Sequence, residues 1–165
     1  MRFREFSHYH GKELLETLHP GIAHEVEDIL YELEPYPHGK KKGETARKYL
    51  IESFVKHDWM AHVDISFNTE KTETLDLMKQ DVAIEVELSR FEMMFKEFLK
   101  FSILYQQKNL DCGILLTFDD EVFSRWLSGV PSHEGVRASL EKARSILNSK
   151  YGSAIIAPIW VIGIE

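Results

Sequence analysis

Three acidic residues within residues 74–87 have a spacing that could hold a metal ion. In residues 82–87 the apolar residues Val82, Ile84 and Val86 alternate with the others, so Glu85 and Glu87 share one strand face, about 7 Å apart at the backbone. Like charges this close repel each other unless a cation or a proton lies between them. A short polar turn precedes this strand, so a hairpin would return the Asp76 carboxylate to the same place. Mg²⁺ prefers oxygen ligands, and the pattern therefore favours a Mg²⁺ site.

An alternative interpretation is that these glutamates form the solvated face of a surface strand, as alternating Glu usually does. The segments that follow favour a site instead. Residues 89–107 have the period of a long helix, and residues 112–118 form an apolar strand. A strand–helix–strand crossover predicts parallel pairing inside a sheet. We therefore expect a central strand whose open face carries Ala83, Glu85 and Glu87.

The remaining elements predict the fold class. Helices are expected over residues 22–34, 44–57 and 136–148, and strands over residues 59–67 and 155–164. The order of these elements predicts an α/β fold with a mixed central β-sheet flanked by α-helices. Without a repeat or a long linker, the chain is expected to form a single domain over residues 1–165. His8 and His10 are expected in a mobile, solvated terminus.

Composition limits the classes of function. The chain has 165 residues, of which 44% are hydrophobic and 28% charged, as in an ordinary globular protein. We find no apolar run near the roughly 20 residues that cross a bilayer, and no secretory signal, so a cytoplasmic protein without a membrane partner is expected. The one cysteine, Cys112, fits a reducing compartment. A net charge of −7 argues mildly against a nucleic-acid binder, although local patches matter more than totals.

The spacing of the acidic residues resembles the PD-(D/E)xK nuclease pattern. It is most similar to the BamHI/BglII-type branch of type II restriction endonucleases, in which an acidic or amide residue replaces the motif lysine. Asp76 matches the first aspartate, Glu85 the second acid and Glu87 the position of the lysine. The similarity extends over residues 22–165 and implies a restriction-endonuclease-like core. The residue before Asp76 is not the proline of the motif.

The resemblance implies a Mg²⁺-dependent DNA endonuclease, with Mn²⁺ as a possible substitute. Asp76, Glu85 and the backbone carbonyl of Val86 would bind the metal. Glu87 would orient or deprotonate the attacking water, which is the role of the motif lysine. Accessory acids are expected on the helix over residues 44–57, where the candidates are Glu44 and Glu52.

Double-stranded DNA and a second copy of the chain are the implied partners. Cations that flank the acidic residues are the candidates for contacts with DNA: Lys40, Lys41, Lys42, Arg90 and Lys96, with Lys100 beside them. Two other functions stay open. One is a catalytically degenerate DNA-binding homologue, and the other is an acidic protein-interaction or immunity-type domain. Stabilisation by millimolar Mg²⁺ would separate a nuclease from an interaction domain.

Overall fold

A mixed six-stranded sheet forms the centre of the molecule. In the computed structural model, residues 2–33, 42–66, 72–121 and 137–165 are described. The strands are β1 (Phe3–His8), β2 (Met60–Ser66), β3 (Thr72–Lys79), β4 (Val82–Val86), β5 (Cys112–Phe118) and β6 (Ile159–Ile164). Their order is β1-β6-β5-β4-β3-β2. The pairs β4–β5 and β5–β6 are parallel, and the others are antiparallel, which confirms the predicted mixed α/β sheet.

Helices cover both faces of the sheet. They are α1 (Gly11–Leu18), α2 (Pro20–Glu32), α3 (Lys42–Val55), α4 (Phe91–Gln106) and α5 (Leu140–Leu147), with a 3-10 turn at Gly152–Ala154. Apolar residues of α1, α2 and α3 pack on one face in a cluster that we call the first core. Those of α4 and α5 pack on the other face in the second core. Burial of these apolar stripes is the main force that holds the helices to the sheet.

The crossover that the sequence predicted is confirmed. Strand β4 leads into α4, and the chain returns as β5, which pairs in parallel with β4. Strands β3 and β4 form the expected hairpin, in which Gln80 has a left-handed backbone with a φ of 52°. The last strand begins at Ile159, directly after Pro158, because proline cannot donate a hydrogen bond to a central ladder. In the described part of the chain, no helix is long and apolar enough to cross a membrane.

The amino terminus differs from the sequence prediction. Residues 3–8 pair with β6 along its whole length, and α1 follows after a tight turn. His8 is buried, and its Nε2 lies 2.9 Å from the backbone oxygen of Ile155. The expectation of a mobile terminus was therefore wrong for His8, whereas His10 is exposed at the start of α1. The reason is that β1 has little alternation of its own and is held by a partner strand about 155 residues later.

Candidate active site

A cleft of about 700 Å³ contains the three acidic residues that the sequence singled out. Its walls are residues of α3, β2 and β3, the end of β4 with the turn that follows it, and the part of α4 from Met93 to Lys100. Asp76, Glu85 and Glu87 all line this cleft, together with Val86. The structure therefore brings the predicted catalytic and metal-ligating residues to one place.

The hairpin holds Asp76 beside Glu85. The register of β3 and β4 pairs Leu77 with Ile84, so Asp76 and Glu85 are the next residues along the two strands. The ladder does not continue there, because the Val86 N–H donates to Asp76 Oδ2 at 3.0 Å instead of to a backbone carbonyl. The Asp76 side chain thus replaces a backbone acceptor at the point where the strands separate. Only 4% of Asp76 is exposed.

Arg47 on α3 is a residue of this site that no sequence pattern indicated. Its guanidinium forms a forked ion pair with the Asp76 carboxylate, in which Nε donates to Oδ2 at 3.2 Å. Forked pairs of this kind fix the orientation of both groups. Helical periodicity alone did not indicate the role of Arg47, because the position of α3 on the sheet depends on tertiary packing.

The face of β4 that carries Glu85 is buried rather than open, which corrects the sequence prediction. Ala83 is fully buried under α4, and only 3% of Glu85 is exposed. Lys100 of α4 reaches down to this face and forms ion pairs with Glu85 and Glu97. Its Nζ also donates to the Thr74 carbonyl at 3.1 Å. Lys100 was predicted to contact DNA, but it is 5% exposed and its ammonium is directed to two acids of the site and to the Thr74 carbonyl.

Two carboxylates and one ammonium therefore share a buried position. Burial, and then the charge of Glu97, raise the pKa of Glu85 to about 9 against the attraction of Lys100. Burial likewise raises the pKa of Glu97. Burial alone would lower the pKa of Lys100, but the charges of the two glutamates outweigh it and raise that pKa. The cluster has one acid more than it has cations, so it favours a proton or a further cation.

Glu87 lies just past the end of β4 and is tied to the turn that leads into α4. Its Oε1 accepts hydrogen bonds from the Ser89 N–H at 2.7 Å, from the Ser89 hydroxyl at 2.6 Å and from the Arg90 N–H at 3.0 Å. Glu87 therefore orders the approach to α4 through one oxygen. The described contacts leave its second oxygen without a hydrogen bond.

The donor set fits a hard divalent cation that keeps most of its water. Over the described ranges, no group of three or more His, Cys, Asp or Glu side chains is arranged to hold a metal ion. The three-carboxylate convergence that the sequence suggested is therefore not preformed. Mg²⁺ is commonly bound through only one or two carboxylates and several waters. Asp76 and Glu85, with the Val86 carbonyl at the same strand end, meet that requirement.

The remaining predicted residues fall into three groups. Lys96 lines the cleft and pairs with Glu73 at 2.6 Å, whereas Arg90 is exposed beside the cleft residue Ser89.

Glu52 pairs with Lys48 at 3.7 Å on the exposed side of α3 and is not brought to the three acids. Lys40 and Lys41 lie outside the described residues, and the side chains of Lys42 and Glu44 are not described.

Comparisons with known proteins show which sequences and folds this chain is similar to. The sequence model of the family described as restriction endonuclease BglII/BglIII matches residues 3–164. The crystal structure of restriction endonuclease BglII complexed with a DNA 16-mer is similar, with a TM-score of 0.77 and 16% identity over 100% of this chain and 78% of that chain. Free BglII is similar with a TM-score of 0.68 and 15% identity, over 100% and 80% of the two chains. No curated protein sequence matches the chain.

Proposed function

We propose that this chain, which belongs to the restriction endonuclease BglII/BglIII family, is a Mg²⁺-dependent endonuclease that hydrolyses phosphodiester bonds in double-stranded DNA. One observation carries the proposal. Two buried carboxylates, Asp76 and Glu85, lie next to each other where β3 and β4 separate, and both open into one cleft. A buried acidic pair at a strand end destabilises the folded protein, and pairs of this kind are typical of functional sites such as those for metal-assisted hydrolysis.

The residues of the chain have distinct roles in this proposal. Asp76, Glu85 and the Val86 carbonyl would hold Mg²⁺ or Mn²⁺. When bound, the ion supplies positive charge to the phosphate and lowers the pKa of a coordinated water. Glu87 orients the attacking water and accepts its proton through the oxygen that does not cap the turn into α4. Arg47 keeps the Asp76 carboxylate in one orientation.

The proposal extends to the contacts with DNA. BglII was crystallised with a DNA 16-mer, which supports a DNA substrate for this relative of similar fold. Of the predicted contacts, Lys96 lines the cleft at a half-exposed position, and the exposed Arg90 follows the cleft residue Ser89 in the chain. Lys40, Lys41 and Lys42 stay predictions from the sequence. The single domain over residues 1–165 and the cytoplasmic location stay predictions as well.

Incubation of the protein with plasmid DNA tests the proposed function. With millimolar Mg²⁺ or Mn²⁺ we expect linear products, and with EDTA we expect none. Mapping the ends of the products shows whether cleavage is sequence-specific. Binding of the plasmid without cleavage under any of these metals would instead identify a catalytically degenerate DNA-binding homologue.

Two substitutions separate the roles of Glu87. Glu87→Gln keeps an oxygen that can accept from the Ser89 and Arg90 N–H groups, but it removes the basic carboxylate. We expect it to lower cleavage by about 10²-fold, a typical loss for a general base, while the melting temperature changes little. Glu87→Ala removes the turn contacts as well and should also lower the melting temperature. If Glu87→Gln cleaves at the wild-type rate in a single-turnover assay, Glu87 has no role in proton transfer.

We further propose a homodimer, because symmetric cleavage of two strands is most simply performed by two symmetric sites. The helix α4 is the better candidate for the interface, since 49% of Leu99 is exposed on it and Leu99 lines an apolar surface groove together with the exposed Tyr151. Leu99→Asp is expected to convert a dimer to a monomer in light scattering at micromolar concentration. Tyr31→Asp, at an exposed aromatic on α2, is the control. A monomeric wild-type protein, with and without DNA, would contradict the dimer.

A further inference from the structure

His62 has an unusual backbone for a residue in the middle of a strand. Its φ is 54°, in the left-handed region that non-glycine residues seldom adopt within β-structure. Its neighbours keep the regular register of β2 and β3, with Ala61 opposite Leu77 and Val63 opposite Leu75. By that register His62 lies opposite Asp76. The strained residue and the candidate metal ligand are therefore cross-strand partners.

On either side of the His62–Asp76 pair, the side chains of β2 and β3 point to opposite faces of the sheet. Leu77 and Ala61 pack in the first core, whereas Leu75 and Val63 pack in the second core. In a regular strand, residues two apart lie on the same face of the sheet. Asp76 lies at this point of exchange and lines the cleft. The same exchange places the His62 side chain on the wall of that cleft.

The cleft has more negative than positive side chains. Its acids are Asp64, Glu73, Asp76, Glu85, Glu87 and Glu97, and its lysine and arginine residues are Arg47, Lys96 and Lys100. Each of these three cations already pairs with an acid of the cleft. His62 has no hydrogen bond or ion pair with any residue for which the structure describes a side chain, and it is exposed. A DNA strand that enters this cleft needs donors that the acids do not already occupy.

We infer that His62 contacts the reacting phosphate, donating an imidazole N–H to a non-bridging oxygen next to Asp76. This inference rests on the proposed nuclease function and adds a catalytic residue to it. Strained backbone at a functional position is retained where the surrounding structure holds it in place. Here the paired residues on both sides of His62 hold it, and the result is an uncommitted donor opposite the metal-binding carboxylate.

His62→Gly tests the imidazole without disturbing the backbone, because glycine adopts a positive φ without steric cost. We expect the melting temperature to stay close to that of the wild-type protein. Single-turnover cleavage with Mg²⁺ should fall by about 10²-fold, as when one transition-state donor is removed, and mainly in the rate constant rather than in KM. Added imidazole should restore part of the lost activity of this variant. His62→Asn, which tolerates the same backbone and has an amide N–H, should retain more activity than His62→Gly.

Lys108→Gly is the matched control, because Lys108 also has a positive φ, of 61°, two residues after the carboxyl end of α4. It should cleave at the wild-type rate. If wild-type protein cleaves DNA and His62→Gly cleaves equally fast, the imidazole does not contact the phosphate and this inference falls alone. If added imidazole has no effect on a slow His62→Gly variant, the residue acts only through structure, which also overturns the inference. If wild-type protein does not cleave with any metal, the proposed function and this inference fall together.

Discussion

Glu85→Gln is expected to lower Mg²⁺-dependent DNA cleavage by about 10²–10³-fold, the cost of removing a central electrostatic group from an active site. The substitution keeps the size and shape of the side chain, so the packing under α4 is retained. It replaces a carboxyl group that can release its proton when a metal ion binds with an amide that cannot. Asp76 alone would then hold the ion, and the affinity for Mg²⁺ should fall with the rate.

Although Glu85→Gln should lower the rate of cleavage, it should not lower the stability of the protein. Burial already raises the pKa of Glu85 to about 9, which means that the folded protein favours its neutral form. A neutral glutamine therefore costs little, and Lys100 keeps its ion pair with Glu97. We expect a melting temperature equal to or above that of the wild-type protein in EDTA.

Thermal melting with and without 5–10 mM Mg²⁺ (roughly the range in which weak sites saturate) and single-turnover cleavage measure both effects. The wild-type protein should be stabilised by the metal and Glu85→Gln should not. Glu92→Gln is the control, because it makes the same chemical change at an exposed position on α4. Cleavage by Glu85→Gln at the wild-type rate would remove Glu85 from the metal site.

Lys100→Met should produce the largest loss of stability. It leaves Glu85 and Glu97 buried beneath α4 without their shared cation, and breaking a buried pair in this way costs about 3–5 kcal/mol. For a protein of this size such a loss corresponds to a decrease of about 10 °C in melting temperature. Lys96→Met is the matched control one turn earlier on the helix. Lys96 pairs with Glu73 at a half-exposed position, where an ion pair contributes at most about 1 kcal/mol.

The loss caused by Lys100→Met should depend on pH with a definite sign. Burial raises the pKa of Glu85 and of Glu97 above the ordinary value of 4.5, so the folded state binds these protons more tightly than the unfolded state. Stability from Glu85 is fully present below pH 4.5 and decreases as pH rises toward about 9, and the raised pKa of Glu97 acts with the same sign. Lys100→Met should therefore be least damaging near pH 5 and most damaging near pH 8. Equal melting temperatures for the two lysine variants at pH 8 would contradict a buried charge cluster.

Local sequence patterns determined the hairpin and the crossover of this protein. Alternation in residues 82–87 placed Glu85 on a strand, and helical spacing in residues 89–107 predicted α4. These features depend on side chains a few positions apart, so they are visible without knowledge of the fold. The three acids were found in the same way, because their spacing of nine and two residues already implies one hairpin and one strand face.

Tertiary structure alone decided which groups surround those acids. Arg47 and Lys100 have the exposed-face character of ordinary helical cations in the sequence, and only the docking of α3 and α4 turns them toward Asp76 and Glu85. The left-handed φ of His62 likewise has no local signal, because it arises where the β2–β3 ribbon exchanges faces between two cores. Strand β1 is a weak strand by composition and exists because β6 offers it an edge. Contacts between residues far apart in the sequence determine these features, and local sequence patterns do not indicate which distant residues will be in contact.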